Sequence, residues 1–332
     1  MCAARCLLRV ALLGRRLLAP PHNFGCRSFS SPPPSASAGA FQNIRYSVSS
    51  TGLCTIEFNR PSKKNAISVD MYREIMEALS FASEDPSVAV TLVTGAGNYY
   101  SSGNDLSNFS RLQNPTRTAA EAKDLLVEFV GSFIDHPKPL VAGVNGPAIG
   151  IAVTTLALCD AVYASSSATF HTPFRQLGQA PEGCSSYTFP YLMGETRAKE
   201  VLEGGRKLSA LEAKEFGLVT EVFPQVSFHQ HLGKVCSQSL ELARSRTMER
   251  APFEERTAQR RFLFCKDHNP QLVDTLWEVN VEECATLEKA WISPECFSAI
   301  QQFLLSRGMY IPALLVALAN QTRFLWEKKP KH

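Results

Sequence analysis

The chain has 332 residues, 45% of them hydrophobic and 20% charged, enough for one or two domains around a large core. Its formal charge of +3 is unevenly placed: Arg5, Arg9, Arg15, Arg16 and Arg27 supply +5 before residue 30, so the remaining body carries +3 less +5, or −2. That body has no basic footprint for nucleic acid, and its longest apolar run, Met309–Ala319, is shorter than the ~18–20 residues of a membrane span and contains Pro312.

The first acidic residue is Glu57. Residues 1–30 are rich in Arg, Leu, Ala and Ser, with Arg5, Arg9 and Arg16 able to share a helical face, and read as a mitochondrial transit peptide. A secretory signal would keep its apolar segment free of charge. Residues 31–43, rich in Ser, Pro and Gly, read as a linker. Ten cysteines are scattered without a Cys-x-x-Cys pair, so a zinc or thioredoxin-like site has no support and free thiols are expected.

Arg45–Ser49 and Cys54–Phe58 predict a hairpin around Ser50-Thr51-Gly52. Ser68 caps a predicted helix through Ala82, with Met71, Ile75 and Leu79 at i, i+4 spacing. Ala89–Thr94, Leu140–Val144 and Ala161–Ala164 read as short buried strands. Ala119–Ile134, Gly150–Leu158, Cys184–Tyr191, Glu195–Glu203 and Ala210–Phe216 read as helices. Beyond Phe228 the chain reads as almost wholly helical. Pro312 is expected to start a short tail helix with Leu315, Leu318 and Ala319 on one stripe. Short strands alternating with helices argue for an α/β architecture.

Three motifs carry the chemistry. Tyr99-Tyr100-Ser101-Ser102-Gly103-Asn104-Asp105 and Asn145-Gly146-Pro147-Ala148-Ile149-Gly150-Ile151 each follow a strand-like run and lead toward a helix. Both can therefore aim free backbone N–H groups into one pocket. Two converging N–H groups hold a carbonyl oxygen as it becomes an oxyanion. The third, Gly178-Gln179-Ala180-Pro181-Glu182-Gly183, offers one carboxylate, Glu182, to move protons.

In this order the motifs resemble the crotonase, or enoyl-CoA hydratase/isomerase, superfamily over roughly Ile44 to Arg307. Phe58-Asn59-Arg60-Pro61, Lys64-Asn65-Ala66, Cys159-Asp160-Ala161-Val162 and Gly217-Leu218-Val219 add to the likeness. The resemblance implies an α/β spiral of ββα units over 44–245, a helical oligomerisation region over 246–307 that builds a homotrimer or a dimer of trimers, and an atypical tail over 308–332. It implies an acyl-CoA thioester substrate and no cofactor beyond the coenzyme A that is part of it. The oxyanion donors it implies are the N–H groups of Ser102 and Ile151, with Gly103, Asn104 and Gly150 around them.

Hydratases of this family use two glutamates to activate water. The corresponding positions here are Thr154 and Phe174, while Glu182 follows Pro181. That pattern resembles the Δ3,Δ2-enoyl-CoA isomerase branch found in mitochondria and peroxisomes. The alternatives are a dienoyl-CoA isomerase, a hydratase or a non-catalytic acyl-CoA-binding scaffold. Lys63, Lys64, Ala66 and Tyr100 stand where the family approaches the CoA nucleotide, Arg307 stands where a neighbouring subunit often supplies a basic residue for the phosphates, and Phe174 is a further substrate-binding candidate. Relatives often end in a Ser-Lys-Leu peroxisomal signal. This sequence ends in Pro330-Lys331-His332, so the mitochondrial matrix is the expected compartment.

Overall fold

A computed structural model describes residues 41–105, 107–108, 114–245 and 270–321. The leader, most of the linker, the Arg-rich stretch 256–268 and the end of the tail lie outside the described residues. Nine strands are present among those described: β1 (Ile44–Val48), β2 (Leu53–Phe58), β3 (Val90–Gly95), β4 (Leu140–Val144), β5 (Ala148–Ile149), β6 (Ala161–Ser165), β7 (Thr169–His171), β8 (Leu208–Ser209) and β9 (Glu221–Phe223). The helices are α1 (Val69–Glu84), α2 (Pro115–Ile134), α3 (Ile151–Thr154), α4 (Ser185–Met193), α5 (Glu195–Leu202), α6 (Ala210–Glu215), α7 (Phe228–Ser245), α8 (Pro270–Trp291), α9 (Pro294–Ser306) and α10 (Tyr310–Gln321).

The predicted hairpin forms, with Ile44 opposite Phe58 and Val48 opposite Cys54. It opens a six-stranded sheet of order β1-β2-β3-β4-β6-β9, parallel from β2 onward. Such strands are buried on both faces, which is why they read as unbroken apolar runs. Alternation divides the faces: Val90, Leu92 and Val141 meet Leu232 and Cys236 of α7, while Val93, Ala142 and Val144 join the main core with α1 and α2. A second sheet has the order β5-β7-β8, and a parallel bridge between Ser101 and Ala148 ties it to the Tyr99–Asp105 loop. This is an α/β architecture, as expected from the alternation of strands and helices.

The elements follow the sequence with informative differences. α1 starts where Ser68 accepts a hydrogen bond from the Met71 N–H. α2 begins four residues before Ala119, because Asn114 caps it and Pro115 occupies its first position. The predicted helix over 150–158 is a single α turn followed by a 3-10 turn, Thr155–Leu158. The two- and three-residue strands β5, β7, β8 and β9 were not anticipated; they are too short for any periodicity to register. Cys54, Cys159, Cys184, Cys236, Cys284 and Cys296 are buried free thiols.

The tail departs most. α10 starts at Tyr310, and its buried stripe is Ala313, Val316 and Ala319; Leu315 and Leu318 are exposed. The stripe closes on Cys296, Phe297, Ile300 and Leu304 of α9. The boundary drawn at 307/308 therefore falls within the turn of a helical hairpin with its own small core.

Candidate active site

The first loop is shaped by the segment before α1. Asn65 is fully buried, and its Nδ2 donates to the carbonyls of Ala96 (2.9 Å) and Tyr99 (2.8 Å). Lys64 and Asn65 both take left-handed backbone angles, φ 53° and 54°. That twist turns the Lys64 carbonyl toward the loop, where it accepts the Ser102 N–H at 2.9 Å. Ser102 is thus not a free oxyanion donor, which corrects the sequence expectation. The Gly103 N–H is also engaged, with Ser101 Oγ at 3.1 Å.

The next residue differs. Ile67 and Asn104 form a parallel bridge in which the Ile67 N–H donates to Gly103 O (2.8 Å) and the Asp105 N–H to Ile67 O (3.0 Å). Parallel pairing of this kind leaves the central residue's own N–H facing away from its partner strand. The Asn104 N–H has no partner among the described residues, and it takes the place that the sequence reading gave to Ser102.

The second loop is tied to the first. The Ile149 N–H donates to Ser101 O (3.0 Å) and the Gly150 N–H to His171 O of β7 (2.9 Å). Ile151 then opens α3, and its N–H is one of the unpaired donors of a helix start, without a partner among the described residues. Gly103 has φ +79°, and a Cβ there would lie 2.6 Å from the Ile149 carbonyl oxygen. Only glycine allows the two backbones this close. The unspent N–H groups of Asn104 and Ile151 consequently arise from adjoining chain.

Glu182 completes the group. A Cβ on Gly150 would stand 4.0 Å from its Oε1. Glu182 is 9% exposed, and neither carboxylate oxygen has a hydrogen-bond partner among the described residues. Burial, with a further contribution from the charge of Glu283, pushes its pKa up to about 8. A buried carboxyl of raised proton affinity is suited to taking and returning protons near neutral pH.

The two positions that matter for hydration are closed. Thr154 is fully buried beneath Gly183, where a glycine Cβ would meet its Oγ1 at 2.5 Å. Phe174 is 2% exposed and packed in the core. Neither site holds a carboxylate.

The CoA candidates separate. Lys63 ends a 3-10 turn, Pro61–Lys63; it and Lys64 are exposed, with Lys64 Nζ 5.1 Å from the Tyr99 ring. Ala66 is half-buried beside them, and its carbonyl accepts from Arg60 Nη1. This turn adjoins the first loop through the Ile67 bridge. Tyr100 does not line a nucleotide site: it is 2% exposed and packs on Phe58 at 5.3 Å, a correction that follows from its place in the core. Arg307 caps α9 with its guanidinium 5.0 Å from the Phe303 ring, on the helical hairpin. Among the described residues no hydrogen bond, ion pair or ring contact joins it to Lys63, Lys64 or Glu182.

Glu283 of α8 was absent from the sequence candidates, yet it is buried and bonds the backbone just after Glu182. A signal for it does exist. Leu276, Asn280, Glu283, Cys284 and Leu287 lie on the helix's buried stripe, where an ionisable group is out of place.

Comparison with known proteins gives the family. The family model described as enoyl-CoA hydratase/isomerase matches residues 49–257. Enoyl-CoA delta isomerase 2 of Rattus norvegicus is 49% identical over 258 residues, 77% of this chain, and this chain spans 62% of that relative's length. Enoyl-CoA delta isomerase 3, peroxisomal, of Mus musculus is 45% identical over 291 residues, 85% of this chain and 86% of its own. Among solved structures, Pseudomonas aeruginosa OdaA matches with a TM-score of 0.65 and 31% identity, over 79% of this chain and 99% of its own. With the loop geometry, the buried glutamate and these likenesses together, the chain belongs to the enoyl-CoA hydratase/isomerase, or crotonase, family.

Proposed function

We propose that this protein is a Δ3,Δ2-enoyl-CoA isomerase acting in the β-oxidation of unsaturated fatty acids. One observation carries the reading: a buried carboxyl with no hydrogen-bond partner among the described residues, Glu182, beside two unspent backbone N–H groups, with Thr154 and Phe174 where hydration requires carboxylates. The two delta isomerase relatives support it.

The Glu182 carboxylate takes a proton from C2 of a 3-enoyl-CoA. The C2–H electron pair moves into the thioester, and the carbonyl oxygen becomes an enolate held by the N–H groups of Asn104 and Ile151. Each such donor is worth about 10²–10³ in rate. The Glu182 carboxyl then returns a proton to C4, the dienolate collapses, and the double bond lies between C2 and C3. Both transfers use one face, so one pivoting carboxyl is enough. In this reading the chemistry calls for no group beyond the substrate's own coenzyme A, and the exposed Lys63 and Lys64 meet its phosphates.

In this reading the Arg-rich leader directs the chain to the mitochondrial matrix, and the subunits assemble as a homotrimer or a dimer of trimers. No helix among the described residues is long and apolar enough to cross a membrane. The reading is tested by giving the purified protein 3-enoyl-CoA and trans-2-enoyl-CoA separately. Conjugation of the first to the thioester, without hydration of the second, is expected. Hydration as the main reaction would overturn it.

A further inference from the structure

The backbone that follows Glu182 is strained. Gly183 has φ +68°, and Cys184 after it has φ +60° although it carries a fully buried side chain. Left-handed backbone is unfavourable for a residue with a Cβ, and it persists where surroundings over-determine it. Here the surroundings come from one helix. Glu283 Oε2 accepts the Cys184 N–H at 2.7 Å, and Glu283 Oε1 accepts the Ser186 N–H at 2.7 Å. On the same face of α8, the Leu276 carbonyl accepts the Cys184 thiol at 3.3 Å. One buried side chain, about a hundred residues away in sequence, thus spans the N–H groups at the start of α4.

We propose that Glu283 is a positioning residue for the isomerase reaction: its carboxylate clamps the strained turn behind Glu182 and holds a fixed negative charge toward the base. The proposal rests on Glu182 being that base.

The charge distribution follows from the bonding. Burial pushes the Glu283 carboxyl above the ordinary carboxylate range, and its N–H donors from Cys184 and Ser186 at the start of α4 oppose that shift and favour its ionised form over that of Glu182, which has none. Glu182 has no donor to either oxygen among the described residues. When one proton is shared between two buried carboxyls, it goes to the one without donors. The other groups facing the pair do not reverse this. Tyr72 of α1 and Cys284 of α8 face Glu182, while Cys184, Cys284 and Glu282 face Glu283; none is a cation. Lys123 of α2 acts on Cys284 but is paired with Asp124 and Glu288. Glu283 therefore raises the proton affinity of Glu182 while fixing the direction from which it swings.

The clamp also links the catalytic loop to the C-terminal helices. α8 is seated by the Asn280 side chain on the Val127 carbonyl (3.0 Å) and by Trp277 Nε1 on Asp135 (2.8 Å), both on or beside α2. A displacement of α8 therefore acts on the turn behind the base.

The test uses the full chain. Glu283→Gln removes the charge and keeps one acceptor; Glu283→Asp keeps the charge on a shorter stem. Two readouts are taken: the pH profile of kcat/KM, and the titration of the Glu182 carboxyl by carbon NMR, assigned by its loss in Glu182→Gln. In Glu283→Gln the Glu182 midpoint should fall by roughly one pH unit, and kcat should drop at least tenfold while KM changes little. Glu283→Asp should restore much of the midpoint. Thermal unfolding and acyl-CoA binding verify that each variant is folded. An unchanged Glu182 midpoint in folded Glu283→Gln overturns the proposal, as does a fall in kcat with no movement of the midpoint. The NMR titration needs no turnover, so a protein that failed to isomerise would reject the isomerase reading and still decide this one.

Discussion

The backbone N–H of Ser102 is bonded to the carbonyl of Lys64 at 2.9 Å. That bond exists because Lys64 and Asn65 are both left-handed, and it moves the free donor of the first loop two residues along, to Asn104. Side-chain identity at 102 should therefore matter little to the reaction. What matters is the close backbone approach of Gly103 to Ile149.

The donor on the second loop can be removed with a single substitution. Ile151 is the first residue of α3, where proline fits a helix and lacks only the N–H. Ile151→Pro should lower kcat by about 10²–10³. Ile151→Val, which keeps the N–H and nearly all the volume, should stay within a few-fold. Steady-state kinetics of the two variants on 3-enoyl-CoA compares them directly, and equal losses would remove the N–H from the mechanism.

The raised pKa of Glu182 sets a pH profile. A base must be ionised in the free enzyme to act, so kcat/KM should climb with pH and level off above about 8. A profile that is already flat from pH 6 to 9 would contradict that environment for Glu182.

The same shift has a stability consequence of defined sign. The folded state holds the Glu182 proton more tightly than the unfolded state, whose carboxyl has its ordinary value of 4.5. Stability from this group is thus complete below about pH 4.5 and is lost as pH rises toward about 8. Glu182→Gln, which has no charge to bury, should be more stable than the parent at pH 8 by roughly 4 kcal/mol. The difference should vanish near pH 4.5; chemical denaturation at the two pH values measures it.

Much of this arrangement was legible in the sequence, and the rest was hidden for identifiable reasons. Glu182, Gly103 and Gly150 were legible because three loop motifs stand in the order and spacing of one family; alone, each reads as an ordinary turn or helix start. The strands β3 and β4 were plain as apolar runs between turns. The Ser102 assignment failed because which N–H is free depends on a carbonyl 38 residues earlier, turned by two left-handed residues. Tyr100 failed because an aromatic beside a site motif can equally face the core, and here it packs on Phe58. Glu283 was missed because its partner lies in α4, and only the folding of α8 against α2 brings them together.

The tail offers an independent test. Ala313, Val316 and Ala319 cover Cys296, Phe297, Ile300 and Leu304 of α9. Truncation after Arg307 would bare that patch, so the shortened protein should melt earlier or aggregate. Turnover per folded subunit should remain within a few-fold, because α10 supplies nothing to Asn104, Ile151 or Glu182. Loss of turnover in a truncated but folded protein would assign the tail a place in the site.

The most direct test of the central claim is a product analysis of wild type and Glu182→Gln on 3-enoyl-CoA. The account predicts trans-2-enoyl-CoA as the principal product of the wild type, and a fall in turnover of about 10²–10⁴ in Glu182→Gln with acyl-CoA binding nearly unchanged. A principal product of 3-hydroxyacyl-CoA, or undiminished isomerisation by Glu182→Gln, would contradict it.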